Sequence, residues 1–139
     1  MVKNAGPELR VEPQIRVSCP PHQTVNLEMV TNLKDRNSIS LLELQVSPVV
    51  MGGKIVKDGE HTVCWAKIPR MFTREAHRNK GYMRALLDAA KNGAGVPGGL
   101  KYIVTSWEDS TEQGKCFLRN HGFKRKDDLL VWEKVSRGN

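Results

Sequence analysis

The stretch Glu75-Ala76-His77-Arg78-Asn79-Lys80-Gly81-Tyr82-Met83-Arg84-Ala85-Leu86-Leu87 reads as a strand, a basic turn and a helix. Met83, Leu86, Leu87 and Ala90 recur at the three- and four-residue spacings that place apolar groups on one helix face. The helix is therefore expected to start near Lys80. A helix start leaves main-chain N–H groups unpaired and carries partial positive charge, so the turn before it can hold an anion. Gly81 lets an anion approach the main chain, and Arg78, Lys80 and Arg84 supply full charges around it. The outline is that of a pyrophosphate cradle.

Upstream, Ile15 and Val17 alternate with polar neighbours, with Leu9 and Val11 as earlier strand positions between Pro7 and Pro13, and predict a first edge strand. After Pro20 and Pro21, Val25, Met29, Val30 and Leu33 fall at helical spacing and predict an amphipathic helix over 25–36. Leu42, Leu44 and Val46 alternate with Glu43, Gln45 and Ser47, which predicts a strand over 39–50, bent or stopped by Pro48 and Gly52-Gly53. Lys57-Asp58-Gly59-Glu60 is a hairpin turn, because Asp-Gly tolerates positive φ. The returning strand is expected over 61–68, interrupted by Pro69, with a short extended piece over 71–74.

Downstream, Asn92 to Gly99 contains G-x-G-x-x-G, but it follows a helix, includes Pro97 and leads into a strand. Dinucleotide binding needs the reverse context, so that reading is rejected. Residues 101–107 form a strand and complete a β-α-β unit, which implies two parallel neighbours. Ser110-Thr111-Glu112-Gln113 has the form of a capping box for a second helix ended by Gly122, and Leu129 to Glu133 is a final strand.

Two of these segments carry a resemblance. Arg78-Asn79-Lys80-Gly81-Tyr82-Met83 resembles the Q/R-x-x-G-x-G/A signature of the GNAT superfamily of acetyl-CoA-dependent N-acetyltransferases, with Met83 in place of the last small residue. Cys116-Phe117-Leu118-Arg119-Asn120-His121-Gly122-Phe123 is similar to that family's F-Y-x-K-x-G-F segment, with Leu118 where the family places Tyr. The resemblance covers roughly residues 40–135. It implies a single GNAT-like domain over 1–139, of α/β (α+β) class, with a mixed, mostly antiparallel sheet, a central splayed parallel pair and flanking helices. It implies acetyl-CoA as cosubstrate, with main-chain groups of Phe72, Thr73 and Arg74 pairing with pantetheine and the turn Arg78, Asn79, Lys80, Gly81, Tyr82, Met83 and Arg84 holding the pyrophosphate. Phe117, Arg119 and Asn120 would lie on the cofactor's other side, so that both basic segments converge on one anionic ligand.

With 139 residues the chain suits one domain. Its 39% hydrophobic and 27% charged shares suit a soluble protein, and no apolar run approaches the ~20 residues of a membrane helix. Without a signal-peptide core or a prenylation Cys, the expected location is the cytoplasm. Cys19, Cys64 and Cys116 are odd in number and widely spaced, which argues for reduced thiols. Cys19 and His22 lack a second ligand pair, so no metal is expected.

The formal net charge of +7 points to anionic partners. Lys67, Arg70, Arg74, Arg78, Lys80 and Arg84 cluster in one segment and Lys115, Arg119, Lys124, Arg125 and Lys126 in another. Acyl transfer to an amine needs a deprotonated amine, a polarised thioester carbonyl and a proton for the departing thiolate. Candidate bases are Glu43, Glu60, His61, Glu75 and His77; candidate proton donors, with Tyr absent at 118, are Ser110, Thr111, Cys116 and Tyr82. The sequence assigns none of them as the catalyst, and Glu75, His61, Ser110 and Cys116 stand as candidates. The expected activity is direct transfer of acetyl from acetyl-CoA to an amine of a small molecule or protein, through a ternary complex. The alternative is a degenerate GNAT-fold binding module with macromolecular partners. Nucleic acid is one such partner, with Trp65, Trp107 or Tyr102 as stacking groups. No membrane partner is expected, and the chain is a monomer or a homodimer.

Overall fold

The structure, a computed structural model, describes residues 13–19, 23–30 and 38–135. Leu9, Val11 and His22 lie outside them. Among the described residues a seven-stranded sheet carries the fold. Its order is β1 (Gln14–Ser18), β2 (Thr24–Val30), β3 (Ser40–Pro48), β8 (Cys64–Thr73), β9 (Leu100–Ser106), β11 (Leu129–Glu133) and β10 (Lys124–Lys126). Only the β8–β9 pair is parallel. Two small hairpins, β4 (Val50–Met51) with β5 (Lys54–Ile55) and β6 (Lys57–Asp58) with β7 (His61–Thr62), fill the path from β3 to β8. The hairpin turn is found in the expected stretch but one residue later than Asp58-Gly59: Asp58 pairs with His61, and Gly59, at φ +66°, and Glu60 make the two-residue loop.

The helix expected over 25–36 is instead strand β2 where it is described, and 31–37 lie outside the described residues. Val25, Leu27 and Met29 are buried while Asn26 and Glu28 are only half-buried, a period of two. Pairing with β1 on one edge and β3 on the other gives this segment hydrogen bonds along both sides. Helical spacing of four apolar residues could not outweigh that pairing.

Pro69 does not interrupt β8, which runs through it for 10 residues. Opposite it the β3–β8 register shifts between Glu43 and Gln45, so Lys67 to Arg70 spans one residue more than its partner. This bulge absorbs the proline, which has no N–H to pair.

Both helices pack on one sheet face. Leu86, Leu87 and Ala90 of α1 (Tyr82–Lys91) and Leu118 of α2 (Glu112–Arg119) share one core with Leu27, Leu42, Leu44, Ala66, Ile103 and Leu130. Thr111, rather than Ser110, caps α2 by accepting the Gly114 N–H at 3.0 Å. The reciprocal box is therefore replaced by a single cap. Phe123 N–H returns to Leu118 O through Gly122 at φ +93°, closing the helix as expected. Lys91, at the end of α1, donates to His121 O at 2.5 Å and lies over the Trp132 ring, tying the two helix ends together. Burial pushes its ammonium pKa down, against the opposing pull of Asp88.

At the other end of the sheet, Glu28 accepts from Arg16 at 3.1 Å and from the Ser38 hydroxyl. Burial alone would raise the Glu28 carboxyl, but the Ser38 and Arg16 hydrogen bonds and the Arg16 charge outweigh it and hold the pKa below 4.5. A carboxyl with a lowered folded-state pKa stabilises the fold above its unfolded value, and loses that contribution as pH falls through the folded one. Glu28→Gln is therefore expected to cost about 1 kcal/mol at pH 7 and progressively less below about pH 4.5, as read by urea unfolding at a series of pH values.

Candidate active site

The paired part of β8 and β9 ends at Lys67 and Val104. Beyond it β8 follows β3 to Thr73 while β9 follows β11 to Ser106, so the two parallel strands part. Thr105 donates its hydroxyl across the fork to Ile68 O at 3.1 Å. The opening is a cleft of 210 Å³ lined by Ile68 to Met71 on β8, Thr105 on β9, and Asp109, Ser110, Thr111 and Gly114 at the start of α2. Gly114 keeps it open, since an added Cβ would sit 3.2 Å from Thr111 Oγ1 and 3.5 Å from Met71 Cε.

Arg74 N–H donates to Ile39 O at 2.9 Å. In antiparallel alternation the main chain of Phe72 then also turns to β3, and that of Met71 and Thr73 turns to the opened edge. Of Phe72, Thr73 and Arg74, expected at the pantetheine, Thr73 is thus the one whose main chain turns to the opened edge, together with Met71, while Phe72 and Arg74 turn to β3. Ser40, fully buried, holds this segment through Thr73 Oγ1 at 2.7 Å and Phe72 O at 3.2 Å.

β8 leads through one 3-10 turn, Glu75–His77, into the basic turn. Asn79 and Gly81 both take positive φ, +64° and +80°, which turns the chain sharply before α1 begins at Tyr82. At Gly81 an added Cβ would meet nothing within 4 Å, so the space beside the helix start is open. Arg78, Lys80 and Arg84 are exposed around it, with Arg78 Nε on Thr73 O at 3.1 Å. A diphosphate fits this turn on three counts: unpaired N–H groups, full charges and open space. Met83 is half-buried against the core and so faces away from that space.

Arg119 and Asn120 lie with Trp107, Glu112, Lys115 and Cys116 along a second groove, which shares no residue with the cleft. Thr111 and Gly114 look toward β8, whereas Lys115 and Arg119 lie on another side of the same helix. Phe117 packs against the core and against His121, ring centroids 4.3 Å apart.

The candidate catalysts scatter as well. Ser110 and Thr111 line the cleft, Cys116 lines the second groove, and Tyr82 packs against the core near His77. Glu75 is exposed in the 3-10 turn, and His61 is exposed on β7 beside Gly98. Glu43 reaches the cleft only through Arg70, at 3.4 Å. Leu118 is 1% exposed in the core, so its position offers no proton donor to either groove. Thr105, Asp109 and Gly114 were not singled out in the sequence; the signal for them is their place at or beyond the carboxyl end of a parallel strand, where open sheets bind ligands. Among the described residues no three His, Cys, Asp or Glu side chains cluster as metal ligands, and no helix is long and apolar enough to cross a membrane.

This architecture, a sheet opened between two parallel strands beside a basic helix start, is the fold of the GNAT acetyltransferases. Solved structures with the same fold include Arabidopsis thaliana NAA60 in complex with a bisubstrate analogue, 15% identical over 81% of this chain and 76% of that one, at a TM-score of 0.57. AtaTR bound with AcCoA is 14% identical over 80% and 68%, at 0.56, and the KacTA–DNA complex 15% over 82% and 70%, at 0.54. No protein-family model and no curated protein sequence matches the chain.

Proposed function

We propose that the chain is an acetyl-CoA-dependent N-acetyltransferase that transfers acetyl directly to an amine of a small molecule or protein within a ternary complex. The observation that carries this reading is the fork itself: a cleft opened between parallel strands whose β8 arm runs straight into a basic, glycine-bearing helix start. Acetyl-CoA would supply the activated acyl group. Arg78, Lys80, Arg84 and the N–H groups around Gly81 bind its diphosphate, and the opened edge at Met71 and Thr73 offers main-chain groups to its pantetheine. Structures of the same fold hold AcCoA or a bisubstrate analogue, which supports the choice of ligand.

Burial of Leu118 favours a second reading, a module that keeps the cofactor but has lost turnover. A nucleic-acid surface is less favoured. Trp65 and Tyr102 stack on each other at 5.5 Å, and the Trp107 ring lies against two cations, Lys115 at 4.4 Å and Arg125 at 4.2 Å. These rings are already engaged and not open to bases.

Calorimetric titration with acetyl-CoA, with CoA and a duplex oligonucleotide as comparisons, tests the proposal. One-to-one binding of acetyl-CoA is expected, and thiol release with a panel of amines and peptides then separates enzyme from module. Absence of acetyl-CoA binding would overturn both readings.

A further inference from the structure

Three hydroxyls line the cleft, and their protons are not equally available. Thr105 donates to Ile68 O at 3.1 Å, and Ser110 donates to Ser106 O at 2.6 Å. Thr111 Oγ1 is an acceptor, taking the Gly114 N–H at 3.0 Å. A hydroxyl has one proton to give, and among the described residues that of Thr111 has no acceptor. The other proton donors considered stand elsewhere: Cys116 on the second groove, Tyr82 against the core, and Leu118 in the place of a tyrosine.

We infer that Thr111 is the hydrogen-bond donor to the sulfur released in acyl transfer, an assignment that rests on the cleft being the acetyl-CoA site. The reaction breaks the thioester C–S bond and forms a C–N bond; the amine gives up one proton and the sulfur gains one, so no further reactant is needed. Thr111 meets the sulfur's requirement at the moment negative charge develops there. Its oxygen already accepts the Gly114 N–H, which leaves the O–H free to turn toward a group in the cleft that Thr111 lines. Polarisation by that accepted bond makes the hydroxyl a better donor. The start of α2 adds partial positive charge on the same side.

The test needs no acyl acceptor. Bound CoA carries the same sulfur as a free thiol, whose pKa is read from thiolate absorbance in the ultraviolet as pH is raised. In the unaltered protein the pKa of bound CoA is expected to fall about one unit below the ordinary thiol value near ~8.5. Thr111→Ser keeps both the cap and the hydroxyl and should preserve the shift. Thr111→Val should abolish it, and Thr111→Asp, which caps the helix as well as threonine does, should abolish or reverse it with the fold intact. An unshifted pKa in the unaltered protein, or a shift that survives in Thr111→Val and Thr111→Asp, overturns the assignment of Thr111 while leaving the cofactor site standing. Failure of CoA to bind at all overturns the assignment together with the proposed function.

Discussion

Reversing the charge at Arg78 and Arg84 together is expected to weaken acetyl-CoA binding by roughly a hundredfold or more. Each charge-assisted hydrogen bond to a phosphate contributes about 1.5–3 kcal/mol, so two lost bonds alone amount to that factor or more. Reversal adds repulsion between the new carboxylates and the diphosphate. Both side chains are exposed, and the bond lost within the protein is that from Arg78 Nε to Thr73 O. The thermal midpoint should therefore move little. Titration of the double variant at two salt concentrations checks the result, since a site of this kind also weakens as salt rises. Unchanged affinity would remove the basic turn from the binding site.

Gly114→Leu is expected to abolish acetyl-CoA binding through a different part of the site. The first side-chain atom alone would lie 3.5 Å from Met71 Cε and 3.2 Å from Thr111 Oγ1, so a leucine has only the cleft to occupy. Helix propensity favours the change by nearly 1 kcal/mol, which offsets some local crowding and keeps α2 formed. Circular dichroism should match the unaltered protein while calorimetry shows no binding. Gly114→Ala should weaken binding by a smaller factor, because only one carbon enters. A leucine variant with full affinity would mean that the pantetheine runs elsewhere.

These two variants probe parts of the site that differ in how visible they were. The basic turn could be read because its logic is local. Arg78, Lys80, Gly81 and Arg84 are consecutive or nearly so, and the periodicity of Met83, Leu86, Leu87 and Ala90 set the helix start within two residues of its place at Tyr82. The β-α-β unit, a hairpin turn at Gly59 and the closure of α2 at Gly122 were legible for the same reason: each depends on residues close in sequence. The cleft was not legible. Its walls come from β8, β9 and the start of α2, and Gly114 matters there only because Met71 stands opposite it.

The amino-acid sequence by itself determined the central helix, the parallel pair around it and the basic, glycine-bearing turn before that helix, because short-range periodicity, glycine and charge are sufficient for each. Tertiary structure alone decided that residues 24–30 pair as a strand, since their apolar spacing suits a helix almost as well and only neighbouring strands on both edges break the tie. It also decided that Pro69 sits in a bulge, that Arg70 lines the cleft while Lys115 and Arg119 line another groove, and that Thr111 has a proton to give. The physical reason is common to all four. A hydrogen bond or a cavity wall joins residues far apart in sequence, and which partner a polar group finds is known only once the chain has brought them together.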